Sequence, residues 1–147
     1  GVDYASGDEN SSDGETNTFN HLFTLRHAYL GWIDHVGRQN IIDYRAEVKG
    51  WICPKKVLVI SQYHLFSRAD KNDALYNAGG AVVRAAGTSN EREVGNEFDL
   101  KVKVILDRHW NLLLGYSNFA AGDFIKQTTP ASQENIEFMH AAVNFTF

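Results

Sequence analysis

The sequence contains little cysteine, proline or methionine, and it has no long apolar run. Cys53 is the single cysteine among 147 residues, so the chain cannot form an internal disulfide or a cysteine-paired metal site. The longest uninterrupted apolar run covers residues 57–60, which is far too short for a membrane-spanning helix. A helical membrane protein is therefore excluded.

An excess of basic charge is also lacking. The chain carries 14 Lys and Arg against 18 Asp and Glu, a formal net charge of −4, and its basic residues form no stripe. This argues against a nucleic-acid partner. The length allows one domain at most. Because the chain opens at Gly1 without a charged and then apolar leader, we expect a mature form or a fragment if the protein is exported.

What the sequence does contain is alternation with a period of two, clearest in its last stretch, residues 136–147. A strand with one apolar face and one polar face is the structure that such alternation predicts. The apolar set is Met139, Ala141, Val143, Phe145 and Phe147. A terminal strand of about ten alternating residues that ends in an aromatic residue is typical of an outer-membrane β-barrel. Alone, it fits an edge strand of a soluble sandwich equally well.

Further alternating stretches predict more strands of the same kind. We expect full strands at 41–52, 57–68, 96–106 and 110–121, and a strand stub at 1–6. Short turns at 53–56 and 107–109 alternate with long loops at about 7–40, 70–95 and 122–135. Strands of this length, with short turns on one side and long loops on the other, are typical of an outer-membrane barrel with its short turns in the periplasm.

Within the first loop, residues 21–40 are more aromatic than an exposed loop should be. We expect them to fold back over the mouth of the barrel. Asp8, Asn10, Ser12 and Asp13 are spaced somewhat like a calcium loop, but the glycine falls one place late and Phe19 stands where a glutamate is needed. A solvated loop is the better interpretation. His21, His27 and His35 lack the spacing of a metal site, so no metal or other cofactor is expected.

Seven stretches in order resemble the C-terminal part of the alginate-export family of outer-membrane porins. They are GDENSSDGETNTFNHLF, LGWIDHVGRQN, YHLF, DALYNAGG, VGNEFDLKV, GYSNFAAGDFI and HAAVNFTF. The resemblance covers nearly the whole chain and implies an all-β fold, an antiparallel transmembrane β-barrel meander. The family barrel has 18 strands, of which this chain would supply the last five or six. The sequence departs from the family pattern after YHLF, where SRAD replaces a more usual aromatic and leucine pair.

The resemblance implies a bacterial outer-membrane pore, not an enzyme, through which an anionic polysaccharide of the alginate type or a related anionic solute passes. Its other partners would be outer-membrane lipid, the barrel-assembly machinery and the missing N-terminal strands of the same barrel. Five strands and a stub are fewer than the roughly eight that single-chain membrane barrels need. The chain would therefore be part of a larger barrel, or would assemble from several copies. The alternative is a soluble or surface-attached all-β binding module that buries the same apolar faces against a partner.

Charged residues alternate with the apolar ones, so the barrel interpretation places them on the wall of the lumen. This set is Asp43, Arg45, Glu47, Lys49, Arg68, Glu97, Asp99, Lys101 and Lys103. Basic residues fall near the short turns and acidic ones near the long loops, an order that would attract a carboxylate at the periplasmic end. Equally, these charges could pair across strands and only solvate the lumen.

Counting from the turns, we expect Lys49 and Lys103 to lie at one depth, two strands apart, with no group between them to neutralise either ammonium.

On the lipid side, Trp110, Phe145 and Phe147 would form part of an aromatic girdle near the periplasmic boundary. By resemblance to other barrels, the terminal aromatic would also be the signal read by the assembly machinery.

The sequence shows no catalytic constellation. Glu97 and Asp99 share a strand face, but a solvated channel would not suit them to acid–base catalysis.

Overall fold

A computed structural model describes residues 1–10, 12–23, 27, 29–128 and 135–147. These described residues form β1 (Val2–Ala5), β2 (Ile41–Cys53), β3 (Val57–Ser67), β4 (Leu75–Tyr76), β5 (Val82–Arg84), β6 (Glu93–Ile105), β7 (Trp110–Ala121), α1 (Asp123–Gln127) and β8 (Ile136–Phe145). Six of the strands make one antiparallel sheet in the order β1-β2-β3-β6-β7-β8. The predicted all-β antiparallel meander is confirmed. No helix in the described ranges is long and apolar enough to cross a bilayer.

Alternation in the sequence becomes two distinct faces of this sheet. The outer face carries exposed apolar side chains on every long strand, among them Tyr44, Val48, Tyr63, Leu65, Phe98, Leu100, Leu114, Met139 and Val143. The inner face carries the charged and polar side chains, together with most of the fully buried ones. Exposing so much apolar surface to water is unfavourable, so the outer face is suited to contact with an apolar environment.

The apolar core lies at the long-loop end of the inner face. It is made of strand residues and loop residues together: Ala5, Leu30, Val36, Ile41, Phe66, Leu75, Val94, Phe119, Ala121, Phe124 and Ile125. The loops are therefore not merely solvated connections. The second loop contains the β4–β5 hairpin, and β6 begins at Glu93 rather than at the predicted residue 96. The third loop contains α1, whose Phe124 and Ile125 are buried.

The connections at the other end of the sheet are short. Residues 54–56 join β2 to β3, and residues 106–109 join β6 to β7. Parts of two predicted loops, residues 11, 24–26, 28 and 129–134, lie outside the described residues. The two edges of the sheet are β1 and β8, which do not pair with each other, so the six strands form an open sheet.

Candidate functional site

Cross-strand register arranges the inner face in rows that run perpendicular to the strands. Nearest the short turns, Ile105, Asn111 and Asn144 share a row on β6, β7 and β8. The next rows are Trp51, Leu58, Lys103, Leu113 and Ala142; then Lys49, Ile60, Lys101, Gly115 and His140; then Glu47, Gln62, Asp99, Ser117 and Phe138; then Arg45, His64, Glu97, Phe119 and Ile136. Asp43 lies one row further out, beside Phe66. The rows of Lys103 and of Lys101 thus hold the lysines and a histidine, and the carboxylates lie further from the turns.

A glutamine links a carboxylate and an ammonium in the middle of this face. Lys101 Nζ donates to Gln62 Oε1 at 2.6 Å, and Gln62 Nε2 donates to Glu47 Oε2 at 2.7 Å. Glu47 also pairs with Lys49 along the same strand, at 3.7 Å between Oε1 and Nζ. Part of the charge is therefore paired, as one of the two interpretations of these residues predicted. The sequence analysis considered only charge neutralisation between the lysines, and so it missed the bridging role of Gln62.

The register corrects the expected match between Lys49 and Lys103. Lys49 is opposite Ile60, which is in turn opposite Lys101, whereas Lys103 is in the next row towards the turns, opposite Leu58. Lys103 is half-buried and has no hydrogen bond or ion pair within the part of the chain that the structure describes. No group among the described residues therefore neutralises its ammonium.

Three carboxylates of this face are buried rather than solvated, whereas Glu47 is exposed. Glu97 and Asp99 are each 0 % exposed, and Asp43 is 1 % exposed. Asp43 Oδ2 is 2.9 Å from His64 Nδ1, Ser117 Oγ donates to Asp99, and the backbone N–H of Ile33 donates to Glu97 Oε1 at 3.0 Å. Glu97 and Asp99 were predicted to contact the solute; both side chains are buried here, and Gly31 and the N–H of Ile33 lie against the carboxylate of Glu97.

Arg68 was predicted to line the wall of the pore, but its side chain lies among the outer loops. It follows the last residue of β3 and is fully buried. Its guanidinium donates to the backbone carbonyls of four loop residues, Lys71, Asp73, Ser89 and Glu91. Burial and the nearby charge of Arg92 lower the pKa of Arg68 to about 10, so it stays charged at neutral pH. Arg68 holds the outer loops together and is not exposed on the inner face.

An inner strap, which we define as residues 29–38, covers the polar rows. Gly31 lies against the Glu97 carboxylate, Trp32 lies over Lys101, and His35 packs on Phe119 with ring centroids 5.0 Å apart. At the start of the strap, the Tyr29 carbonyl accepts from Arg45 Nη1 at 3.3 Å. The aromatic content of 21–40 was the sequence signal for this fold-back. The individual contacts, and the role of His140 beneath the strap, had no signal in the sequence.

Three aromatic residues lie together at the short-turn end of the outer face. Trp110 is directly opposite Phe145, with ring centroids 4.7 Å apart, and Phe147 lies 6.4 Å from Phe145. All three are exposed, Phe147 completely. Their position at the edge of the apolar face is the one that an aromatic girdle takes at a membrane boundary.

No metal centre forms in the described ranges, where no three His, Cys, Asp or Glu side chains come together in a suitable arrangement. In the loop that was compared with a calcium site, Asp8, Asn10 and Asp13 each accept hydrogen bonds from nearby loop groups. His21, His27 and His35 point to different partners: the Arg38 carbonyl, Asp34 and the Phe119 ring.

Comparison with known proteins gives one family and no curated relative. The family described as alginate export has a model that matches residues 1–138 of the 147. No curated protein matches the chain. The resemblance found in the sequence is thereby confirmed.

Proposed function

The chain belongs to the alginate export family, a family of outer-membrane transport proteins rather than enzymes, and from this premise we propose that its sheet forms part of the wall of an outer-membrane pore for anionic solutes. The solute would be an alginate-like polysaccharide or a smaller uronate-type anion. Because six strands leave both edges of the sheet unpaired, the barrel would need further strands, from the same polypeptide or from other copies of the chain.

The two-faced sheet is the observation that carries this proposal. Its outer face exposes apolar side chains on every long strand, while its inner face carries charged and polar side chains in its middle rows, from Lys101 to Glu97. A soluble protein would have to cover the apolar outer face with further protein. A membrane barrel instead presents the apolar face to lipid and the polar face to its lumen. The alternative binding module would need a partner that covers the entire outer face.

The charge order on the inner face supports an anionic solute. Lys103 has no partner in the described ranges and lies in the second row from the short turns, which in such barrels are periplasmic. Lys49 lies one row further out, exposed, with only the 3.7 Å contact to Glu47. Together the two ammonium groups would draw a carboxylate in from the periplasmic side, as rings of Lys or Arg do in anion pores.

The test is ion selectivity in a planar bilayer, with the complete polypeptide that carries these residues. We expect Lys49→Glu combined with Lys103→Glu to shift the reversal potential in a salt gradient towards cation preference. The matched control is Lys55→Glu with Lys56→Glu, which makes the same charge change in the exposed turn between β2 and β3.

An unchanged preference in the inner-face double variant would contradict the anion role of the lysines. If the purified wild-type protein formed no channel and stayed monodisperse in buffer without detergent, the pore itself would be refuted and the binding-module alternative favoured.

A further inference from the structure

A large aromatic side chain is exposed on the inner face near the short turns. Trp51 of β2 is 49 % exposed, and the alternation of the strand places it on the same face as Lys49. Its register partner is Leu58 of β3, which is in turn opposite Lys103 of β6. Trp51 therefore belongs to the inner face, whereas Trp110 at the same end of the sheet belongs to the apolar outer face.

The indole of Trp51 has binding capacity left for a ligand. Among the residues that the structure describes, its ring has no stacking or cation–π contact and its N–H has no hydrogen-bond acceptor. Trp32 of the strap differs, since it stacks on His140 and lies over Lys101. An exposed indole offers a flat apolar face together with a hydrogen-bond donor at its edge.

A β-bulge interrupts β2 directly after this tryptophan. Trp51 is opposite Leu58 and Cys53 is opposite Val57, so Ile52 is an extra residue without a partner on β3. Bulges are frequent at the rims of barrels and beside functional sites, where they change the direction of a side chain. The bulge distinguishes this position from the regular ladder along the rest of β2.

Two ammonium groups lie near Trp51, and the two rows that hold these three residues contain no carboxylate. By strand geometry, Lys49 is about 7 Å away along β2 and Lys103 is about 10 Å away across two strands. Lys49 has an exposed 3.7 Å contact with Glu47, which holds it weakly. Lys103 has no partner in the described ranges. The surroundings of Trp51 on this face are therefore cationic.

An aromatic face beside two cations suits a sugar ring that carries a carboxylate. The CH-rich face of a sugar ring is apolar and gains by leaving water when it stacks on an indole. A hydroxyl or the ring oxygen accepts from the indole N–H, and the carboxylate meets an ammonium group. A simple carboxylate has no ring to stack on Trp51, and a neutral sugar has no charge to meet the lysines.

We propose that Trp51 is a specificity-determining residue, the stacking platform of a uronate subsite in which Lys49 and Lys103 supply the positive charge. This inference rests on the proposed pore function and adds recognition of the sugar ring to its charge preference. At this level the wall discriminates between sugar acids and simple anions of the same charge.

Block of the ion current by trigalacturonate tests the subsite in the complete polypeptide that carries these residues. We expect Trp51→Ala to raise the half-blocking concentration about tenfold, equivalent to the loss of one favourable stacking contact. Trp51→Tyr, which keeps a ring and a donor, should stay close to wild type. The control is Val48→Ala, an exposed residue on the outer face of the same strand.

The reversal potential in a gradient of potassium acetate should be the same for wild type and Trp51→Ala, because acetate has no ring to stack. Equal block of the two proteins by trigalacturonate would overturn the proposal. So would a Trp51→Ala pore whose acetate selectivity changed as much as its block by trigalacturonate.

Calorimetric titration of the detergent-folded protein separates the subsite from the pore. Wild type should bind trigalacturonate more tightly than maltotriose, the neutral sugar of the same length, and galacturonate more tightly than cyclohexanecarboxylate. Equal affinities within either pair would overturn the assignment to a sugar acid, even where Trp51→Ala does not fold. Trigalacturonate binding by a protein that forms no channel would refute the pore and leave the subsite standing. An anion-selective channel that binds no trigalacturonate would refute the subsite alone.

Discussion

The guanidinium carbon of Arg68 lies 3.7 Å from the centroid of the Phe124 ring, so the residue that follows β3 is stacked on the helix of the third loop. The same guanidinium donates to carbonyls on both sides of the second loop, including Lys71 at 2.8 Å and Glu91 at 2.5 Å. One side chain thus joins two loops that are far apart in sequence.

Replacing Arg68 should loosen both loops at once. We expect Arg68→Met to lower the free energy of unfolding by about 3 kcal/mol, because several buried carbonyls lose a charged donor. Loop 70–92 should also become sensitive to protease. Urea titration of the folded protein and limited proteolysis measure the two effects. Arg108→Met, in an exposed turn at the other end of the sheet, is the control, and equal effects of the two variants would contradict this role of Arg68.

Neighbouring leucines on β7 test which face meets lipid. Leu114 is on the outer face opposite Val102, and Leu113 is on the inner face opposite Lys103. Leu114→Arg should cost about 2–4 kcal/mol of folding free energy in lipid vesicles. Leu113→Arg should cost much less, since the repulsion from Lys103 in a wet lumen is about 0.5 kcal/mol. Equal costs in a folding titration would show that the outer face does not contact lipid.

The terminal aromatic tests the assembly signal. Phe147 is fully exposed and contributes little packing to the fold, so its loss should leave the stability of assembled protein nearly unchanged. Deleting it should nevertheless lower the amount of protein assembled in the outer membrane, whereas Phe147→Tyr should keep that amount. Immunoblotting of outer-membrane fractions measures it. Wild-type levels after the deletion would remove the signalling role.

Tyr76 should give the outer loops a dependence on alkaline pH. Its hydroxyl donates to Asp73 Oδ1 at 2.8 Å, and burial, followed by this hydrogen bond, raises its pKa to about 12. Since an unfolded tyrosine titrates near pH 10, the stabilisation is complete below that pH and is lost as the pH rises through about 12. The difference in unfolding free energy between wild type and Tyr76→Phe should shrink across this window. Tyr63→Phe, on the outer face, is the control, and a difference that did not change with pH would contradict the assignment.

The strands were predictable because their signal is local. Alternation over a dozen residues sets which side chain faces which way, and polar turn residues end each run, so the stretch 110–121 emerges as β7 with the same bounds. Arg68 shows the limit of this reasoning. It continues the alternation of β3 by one residue, yet the strand has already ended and its side chain turns towards loop carbonyls.

The register and the strap could not be read from the sequence, because each depends on contacts between distant segments. Lys49 and Lys103 were both counted from their own short turns, but the offset between β3 and β6 is set across the long second loop. Likewise, Trp32 reaches His140 through a fold-back that no local pattern describes. The strap also buries carboxylates such as Glu97. The sequence analysis assumed an open channel and therefore did not predict that burial.

The shared core of the outer loops bears on how peptide tags could be displayed on the cell surface. Leu30, Leu75 and Phe124 come from three different loops and pack in one cluster, so inserted residues beside any of them would disturb all three loops. Gly87 is exposed and lies outside that cluster, and a Cβ added at this position would have no other atom within 4 Å. An epitope inserted after Gly87 should leave the fold intact while remaining open to antibody.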